Sequence, residues 1–586
     1  MKSVLIANRG EIAMRIIRTC KEEGIRSIVA FSEADRFSPA VKFADDSICL
    51  GGAPAAESYL AIDKIIAAAQ ETGADAIHPG CGFLSENPEF AVAVAKAGLI
   101  FIGPTPSVMA DLGDKRRARE LAQEAGIPVV PGLLINEGSP PSRRDLEKIG
   151  LPVVVKAAHG GGGRGMRVVE KYEQITDAID QAQRESQSAF GRSDVFIERF
   201  ILRSRHVEVQ IMGDAHGTIL DFGTRDCTVQ RRHQKLIEEA PAPFLPENLT
   251  LQIREAARKL GAFVGYLGAG TAEFLVDPVT HDFYFLEMNT RLQVEHPVTE
   301  MITNLDLVSL QFRVAQGLPI GLSQQDVHFS GHAIEFRVNA EDPADSFRPH
   351  TGTISQLNLA QGMQVRNDFG VVNGSEVTPF YDSMIGKIIV FGNSRSDAIA
   401  RMLRSAQEFS INGIPTTVNF DVLVLQHDAF IKGNHWTTMV DEGHIDISSL
   451  QQWSVPEIVS SPHVEQQSVD MVQIDTSTGP ILLLVPTSDQ PHSLGHESGN
   501  QFLGLSLGDT DRQLAPIGPI APMDGTLIRY VVEAGMVITA ETTIALMESM
   551  KMETAILAGV AGVVSELLET PGKSIKRGTL LARINP

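Results

Sequence analysis

A chain of 586 residues is too long for a single core and divides into several domains of ordinary size. Its net charge of −22 argues against nonspecific nucleic-acid binding and against an anionic membrane surface, so any phosphate site must be a local concentration of cations and backbone donors. Four cysteines, Cys20, Cys49, Cys81 and Cys227, lie far apart without CxxC spacing, which speaks against a disulfide framework or structural zinc and leads us to expect a reducing, cytoplasmic setting.

Met1–Ile6 runs straight into an apolar strand, so no leader is expected, and no apolar run reaches membrane-spanning length. Ser3–Ala7 reads as a buried strand, Glu11–Glu23 as an amphipathic helix and Arg26–Phe31 as a second strand, a βαβ opening that predicts a doubly wound α/β layer. GxGxxG is missing, so dinucleotide binding is not indicated. Asp75–Asn87 reads as a strand that ends in a Gly-rich polar loop, where such sheets present functional residues, although a structural turn explains it nearly as well.

From Asp114 to Ile135 the spacing predicts helix, and Leu151–Ala158 a strand that delivers Lys156 to Gly160-Gly161-Gly162-Gly163-Arg164-Gly165. So many glycines forfeit backbone entropy, which is tolerable where amides must close over an anion. The segment is therefore either a lid over a nucleotide triphosphate or a plain flexible loop, and it lacks the Walker GK[ST]. In the predicted strand His206–Met212, His206, Glu208 and Gln210 share one face, which is either solvated or lines a site. Asp226–Lys235 then gathers three cations and a histidine in an otherwise acidic chain.

Gly270–Val276 and Phe283–Glu287 read as a hairpin centred on Thr280, which sets Glu273 directly opposite Glu287 with Cβ atoms roughly 4.5 to 5.5 Å apart. Like charges so placed destabilise a sheet, so a cation belongs between them, either a metal ion or a nearby lysine, unless one carboxyl is protonated. Oxygen ligands suit magnesium, and Asn289 would face the same way. Arg291, Gln293 and Glu295 continue that parity, and a guanidinium, an amide and a carboxylate on one edge can bind a small oxyanion and accept its proton.

With the glycine segment, Arg231-Arg232-His233-Gln234-Lys235, Glu238-Glu239-Ala240-Pro241 and Glu287-Met288-Asn289-Thr290-Arg291-Leu292-Gln293-Val294-Glu295-His296-Pro297 in view, residues 1–445 resemble a biotin carboxylase of the ATP-grasp superfamily. The resemblance implies that Lys115, Lys156, Gly161, Gly162, Gly163, Glu198, Ile201, His206, Gln230 and His233 hold ATP, and that Glu273, Glu287 and Asn289 bind magnesium or manganese. It further implies that Lys235, Arg291, Gln293 and Val294 bind bicarbonate, that Glu295 is the base, and that Arg337 stabilises an enolate-like biotin.

Residues 330–445 read as a mixed α/β closing unit with a strand at Met384–Phe391 and a helix at Arg395–Phe409, and Tyr381-Asp382-Ser383 is a candidate for the biotin-facing side. From 446 to 515 the composition shifts to Gln, Ser, Pro and Asp around the apolar run Gly479–Pro486, read as linker plus a small β segment. Near the C-terminus, Glu548-Ser549-Met550-Lys551-Met552 sits between two half-repeats of about equal length, each led by a Gly-containing strand, which predicts a small barrel with Lys551 at a hairpin tip. Residues 518–586 resemble a biotinyl carrier domain, with Ser549 where that family more often has alanine, and by this resemblance a biotin protein ligase would acylate Lys551.

The expected division is 1–112 pre-ATP-grasp layer, 113–328 ATP-grasp domain with a lid at about 131–205, 329–445 carboxylase C-terminal domain, 446–517 linker and small β segment, and 518–586 flattened-barrel biotinyl domain. The fold class is thus multidomain α/β and α+β with a small all-β end. The resemblance implies ATP- and bicarbonate-dependent carboxylation of biotin through carboxyphosphate. The carboxyl group would pass to a carboxyltransferase β subunit on a separate chain, as in an acyl-CoA carboxylase, within a hetero-oligomer containing more than one copy of this chain. The rival readings are the same half-reaction serving a keto acid or urea, and a biotin carrier with an inactive regulatory body.

Overall fold

The computed structural model describes residues 1–135, 141–157, 167–190, 195–450, 469–476, 479–486, 518–550 and 552–585. At the N-terminus five parallel strands are ordered Asp46–Gly51, Arg26–Ser32, Ser3–Ile6, Ala76–His78, Ile100–Phe101, the doubly wound layer expected from the opening βαβ unit. After Ala76–His78 the chain turns at Gly80, whose φ of +66° and close approach to the Asn8 side chain leave no room for a Cβ.

The site is built on a second, eight-stranded sheet. Its order is Phe283–Asn289, Gly268–Val276, Arg205–Gly213, Ile219–Arg231, Gln234–Ala240, His332–Asn339, Met384–Gly392 and Val365–Phe369, with every pairing antiparallel. The strand Arg205–Gly213 is buried along its whole length. Val207, Val209 and Ile211 join an apolar cluster with Leu249, Ile253, Ala257 and Leu260 of the helix Glu247–Phe263, so the opposite, polar face is the one turned to the site.

The segment 114–135 departs from the expected continuous helix. Helix Lys115–Glu124, N-capped by the Asp114 side chain, stops before Gly126 (φ +70°), and Pro128 and Pro131 prevent its resumption. Gly132–Ile135 is instead a strand paired with Val195–Arg199, in a four-stranded sheet that also holds Val153–Ala157 and Arg167–Val169. Short apolar runs between prolines read ambiguously, and strand pairing decided this one.

Val469–Thr476 and Gly479–Pro486 form an antiparallel pair within the expected linker region. At the C-terminus a four-stranded and a three-stranded sheet enclose Leu527, Ile544, Met547, Ile556, Val564, Leu581 and Ile584. Thr543–Ser549 pairs with Met552–Leu557, with Ser549 opposite Met552 and Met550 at φ +50°; Lys551, expected at the tip, lies outside the described residues.

Candidate active site

Strand register brings the charges together. Glu287, Glu273, Glu208 and Arg225 are successive Cα partners across four neighbouring strands, so they stand in one row on one face. The pairing of Glu273 with Glu287 is as the hairpin arithmetic predicts, with a bulge only nearer the turn. Cationic side chains meet both carboxylates: Lys235 Nζ at 3.1 Å and His206 Nε2 at 2.8 Å on Glu273, and Lys115 Nζ at 3.1 Å on Glu287. Asn289 Nδ2 also donates to Glu273 at 2.8 Å. By donor chemistry the oxygens of Glu273, Glu287 and Asn289 suit magnesium, although here Lys235, His206, Asn289 and Lys115 meet the two carboxylates and Arg291 donates to the Asn289 oxygen.

Lys235 is the hub. Its ammonium donates to Glu208 Oε2 at 2.6 Å, Glu273 Oε1 at 3.1 Å and Glu295 Oε1 at 2.5 Å, which uses all its donors. It reaches that position from a hairpin whose turn residues Arg232 and His233 hold φ of +47° and +65°, a conformation that residues with side chains pay to adopt. Burial alone would drive Lys235 to lose its proton, but Cys227, Glu208, Glu273 and Glu295 reverse this and keep it firmly charged.

Glu295 is 0% exposed and is the N-cap of helix His296–Thr303, with Pro297 in the first turn. Its side chain makes no capping bond, so the carboxylate faces the site while the helix dipole favours its charge. Arg337 donates to its Oε2 at 2.9 Å and to Glu238 Oε1 at 2.5 Å. Burial would raise the Glu295 pKa, yet Lys235, Arg337 and Arg225 outweigh it and hold the carboxyl well below its usual range. Glu273 is held low in the same way, against burial, by Lys235 and His206. Burial also works against His206, and the Glu273 carboxylate overrides it and raises the imidazole.

Arg291 spans the mouth, donating to Glu86 at 2.9 Å, Gln293 at 3.0 Å and Asn289 at 3.2 Å. The Gln293 amide nitrogen is buried without a partner among the described residues, a donor free for an oxyanion. Farther off, Gln230 contacts His206 at 3.5 Å, His233 is exposed at the hairpin tip, and Ile201 packs with Val130 and Tyr284. Glu198 accepts from Arg119. Lys156 occupies a central strand beside Phe196, whereas Gly161, Gly162 and Gly163 lie outside the described residues.

Five participants were missed from sequence. Glu86 ends the loop singled out as a functional edge, and Glu208 lies on the predicted polar strand face; both signals were present but unassigned. Arg225 donates to Glu208, Gln210, Thr271 and Thr299, and Glu238 is paired with Arg337 and pushed up by burial. Only the strand register reveals Arg225, whereas Glu238 stood in the motif Glu238–Pro241 without a role, and the buried Cys227 lies beside Glu295.

Tyr381 is 2% exposed, with its hydroxyl taken by Ser32 and by the Ala53 carbonyl and its ring beneath the Arg9 guanidinium, so it seals a junction with the N-terminal layer. Ser383 donates to Glu341 at 2.6 Å, and burial, aided by Asp382, pushes the Glu341 carboxyl up to about 7. One element of the C-terminal barrel reaches this region: the Met550 N–H donates to the Pro379 carbonyl at 3.4 Å, and Met550, 2% exposed, joins the apolar cluster that includes Phe347 and Val377. Met550 therefore lies against the loop leading to Tyr381.

Four family models match in succession: "Biotin carboxylase, N-terminal domain" over residues 1–109, "Carbamoyl-phosphate synthase L chain, ATP binding domain" over 114–323, "Biotin carboxylase C-terminal domain" over 335–442 and "Biotin-requiring enzyme" over 520–584. A biotin carboxylase of Nostoc sp. is 48% identical over 443 residues, 75% of this chain and 98% of that protein. The biotin-dependent acyl-coenzyme A carboxylase alpha3 subunit of Mycobacterium leprae is 39% identical over 99% of this chain and 98% of its own length. Among solved structures, the biotin carboxylase domain of Hydrogenobacter thermophilus 2-oxoglutarate carboxylase, a dimer in complex with MgADP, ADP and bicarbonate, superposes with a TM-score of 0.70 at 40% identity, covering 75% of this chain and 97% of that one. Among the described residues, no helix is long and apolar enough to cross a membrane.

Proposed function

The chain belongs to the biotin carboxylase family, and on that premise we propose that it uses ATP and bicarbonate to carboxylate a biotin carried on its own Lys551. The observation that carries the reading is Glu295, a buried, ionised carboxylate held between Lys235 and Arg337 beside the free Gln293 donor.

Bicarbonate is a poor electrophile, so its carbon needs activation by phosphoryl transfer. In our reading Lys235, Arg291, Gln293 and the Val294 amide bind the anion, and Glu295 accepts its proton as an oxygen attacks the ATP γ-phosphoryl and ADP departs. Lys235 and Arg337 would stabilise the added negative charge. Carboxyphosphate then yields carbon dioxide and phosphate, the phosphate takes the proton from the ureido N–H of biotin, and that nitrogen bonds to the carbon dioxide while Arg337 holds the developing oxyanion. Glu273, Glu287 and Asn289 would hold magnesium, which when bound would supply charge neutralisation on the phosphates. Lys115, Lys156, His206, Gln230, His233, Glu198, Ile201 and Gly161 to Gly163 are assigned to the nucleotide.

We assign the carboxyl acceptor to an acyl-CoA, on a separate carboxyltransferase subunit, because the Mycobacterium leprae relative aligned over 99% of this chain is an acyl-coenzyme A carboxylase alpha subunit. The five-part division of the chain, modification by a biotin protein ligase, a cytoplasmic setting and a homo-oligomeric core within the hetero-oligomer complete the proposal. Purified protein given ATP, bicarbonate and free biotin, with no second protein, should release phosphate in a bicarbonate-dependent manner. No such release rejects the reading in favour of a carrier with an inactive body.

A further inference from the structure

The turn that bears Gln293, Val294 and Glu295 is held by two side chains with no part in the chemistry above. His296 Nδ1 binds the Gln293 carbonyl at 2.7 Å, which fixes the peptide carrying the Val294 N–H. Lys387 Nζ donates to the Val294 carbonyl at 2.7 Å, which fixes the next peptide, the one leading into Glu295.

Lys387 is 0% exposed, and its ammonium pairs with Glu11 Oε2 at 3.0 Å. It therefore ties three parts of the molecule at one point: Glu11 in the N-terminal helix Gly10–Glu22, Val294 before helix His296–Thr303, and its own strand Met384–Gly392. Arg337 and Asp368 are its Cα partners on the flanking strands, and Glu335 lies close enough to act on its charge. Burial favours the neutral amine, but Glu11, Glu335 and Asp368 outweigh it and keep Lys387 protonated. A fully buried cation spending a donor on one carbonyl is costly packing unless that carbonyl must not move.

We propose that Lys387 is a positioning residue for the bicarbonate step: by pinning the Val294 carbonyl it sets the aim of the Glu295 carboxylate. The inference rests on the role given to Glu295 above. The test uses the full chain, with bicarbonate and ATP varied separately, in Lys387→Met, in Glu11→Gln/Lys387→Met, which removes the ion-paired Glu11 carboxylate together with its cation, and in Lys387→Arg, which keeps the charge but moves the donors. All three should lose at least about tenfold in kcat/KM for bicarbonate while KM for ATP stays within about twofold, the double variant included although Glu335 and Asp368 still face the site of the lost ammonium. Equal losses for both substrates, or wild-type bicarbonate kinetics in any variant, overturn the proposal. Absence of bicarbonate-dependent release in the unmodified protein would be a failure of the catalytic reading itself, and the two results are read from different samples.

Discussion

Lys235 and Glu295 meet at 2.5 Å, although they lie on a strand and a helix N-terminus separated by 60 residues of chain. The contact joins the residue assigned to hold bicarbonate with the one assigned to take its proton, and both are charged in the folded protein. An ionised base is ready to accept, and the cations that depress its pKa are the ones that would meet the new charge on the substrate.

Replacing Glu295 with glutamine keeps the shape and the contact to Lys235 but removes the proton acceptor. Bicarbonate-dependent ATP cleavage should fall by about a hundredfold or more, with nucleotide affinity near normal. Steady-state phosphate release and nucleotide titration measure the two, and unchanged turnover would remove Glu295 from the mechanism.

Material made with an active ligase and ample biotin should show one added biotin by intact mass. Lys551→Arg should abolish that adduct while leaving phosphate release with free biotin intact, since free biotin needs no attachment to the chain. An adduct that persists would place the attachment elsewhere.

Glu287 touches Lys115, whose side chain is 77% exposed, so the pair contributes little to folding. Glu287→Gln should therefore leave the melting temperature unchanged while the magnesium needed for half-maximal ATP cleavage rises by about tenfold, the cost of about 1.4 kcal/mol in metal binding. Equal magnesium dependence in the two proteins would contradict the assignment.

Glu341 supplies a pH signature. Its pKa rises from an ordinary 4.5 to about 7, so the folded state binds its proton more tightly than the unfolded state. The stability this gives is complete below pH 4.5 and is lost as pH climbs through about 7. In Glu341→Gln that loss disappears, so the melting temperature of the variant relative to the parent should increase from pH 5 to pH 8. A constant difference across that range would show that Glu341 titrates normally.

Much of this site was legible because strands preserve parity. Counting outward from Thr280 faced Glu273 with Glu287, a pairing that a bulge next to Glu273 restores because the pairs nearer the turn run one residue off that count. The alternation reaches Asn289, whereas Arg291 and Glu295 lie beyond the strand, Glu295 at a helix N-cap. The pairing of Thr543–Ser549 with Met552–Leu557 was legible for the related reason that half-repeats converge on it. Arg225 was not, nor was the role of Glu238, because both depend on which strands become neighbours, and that is decided by long-range pairing rather than local pattern. The mistaken helix up to Ile135 has the same origin, since Leu133 and Ile135 become strand residues only by pairing with Val195–Arg199.

Lys235 and Arg337 stand on adjacent strands, Gln234–Ala240 and His332–Asn339, joined by a main-chain ladder. Dissecting the molecule into separately produced halves between those strands would leave each half with a raw edge of unpaired amides and carbonyls, prone to self-association. Any useful truncation has to cut beyond residue 445 instead, where the composition already shifts to that of a tether.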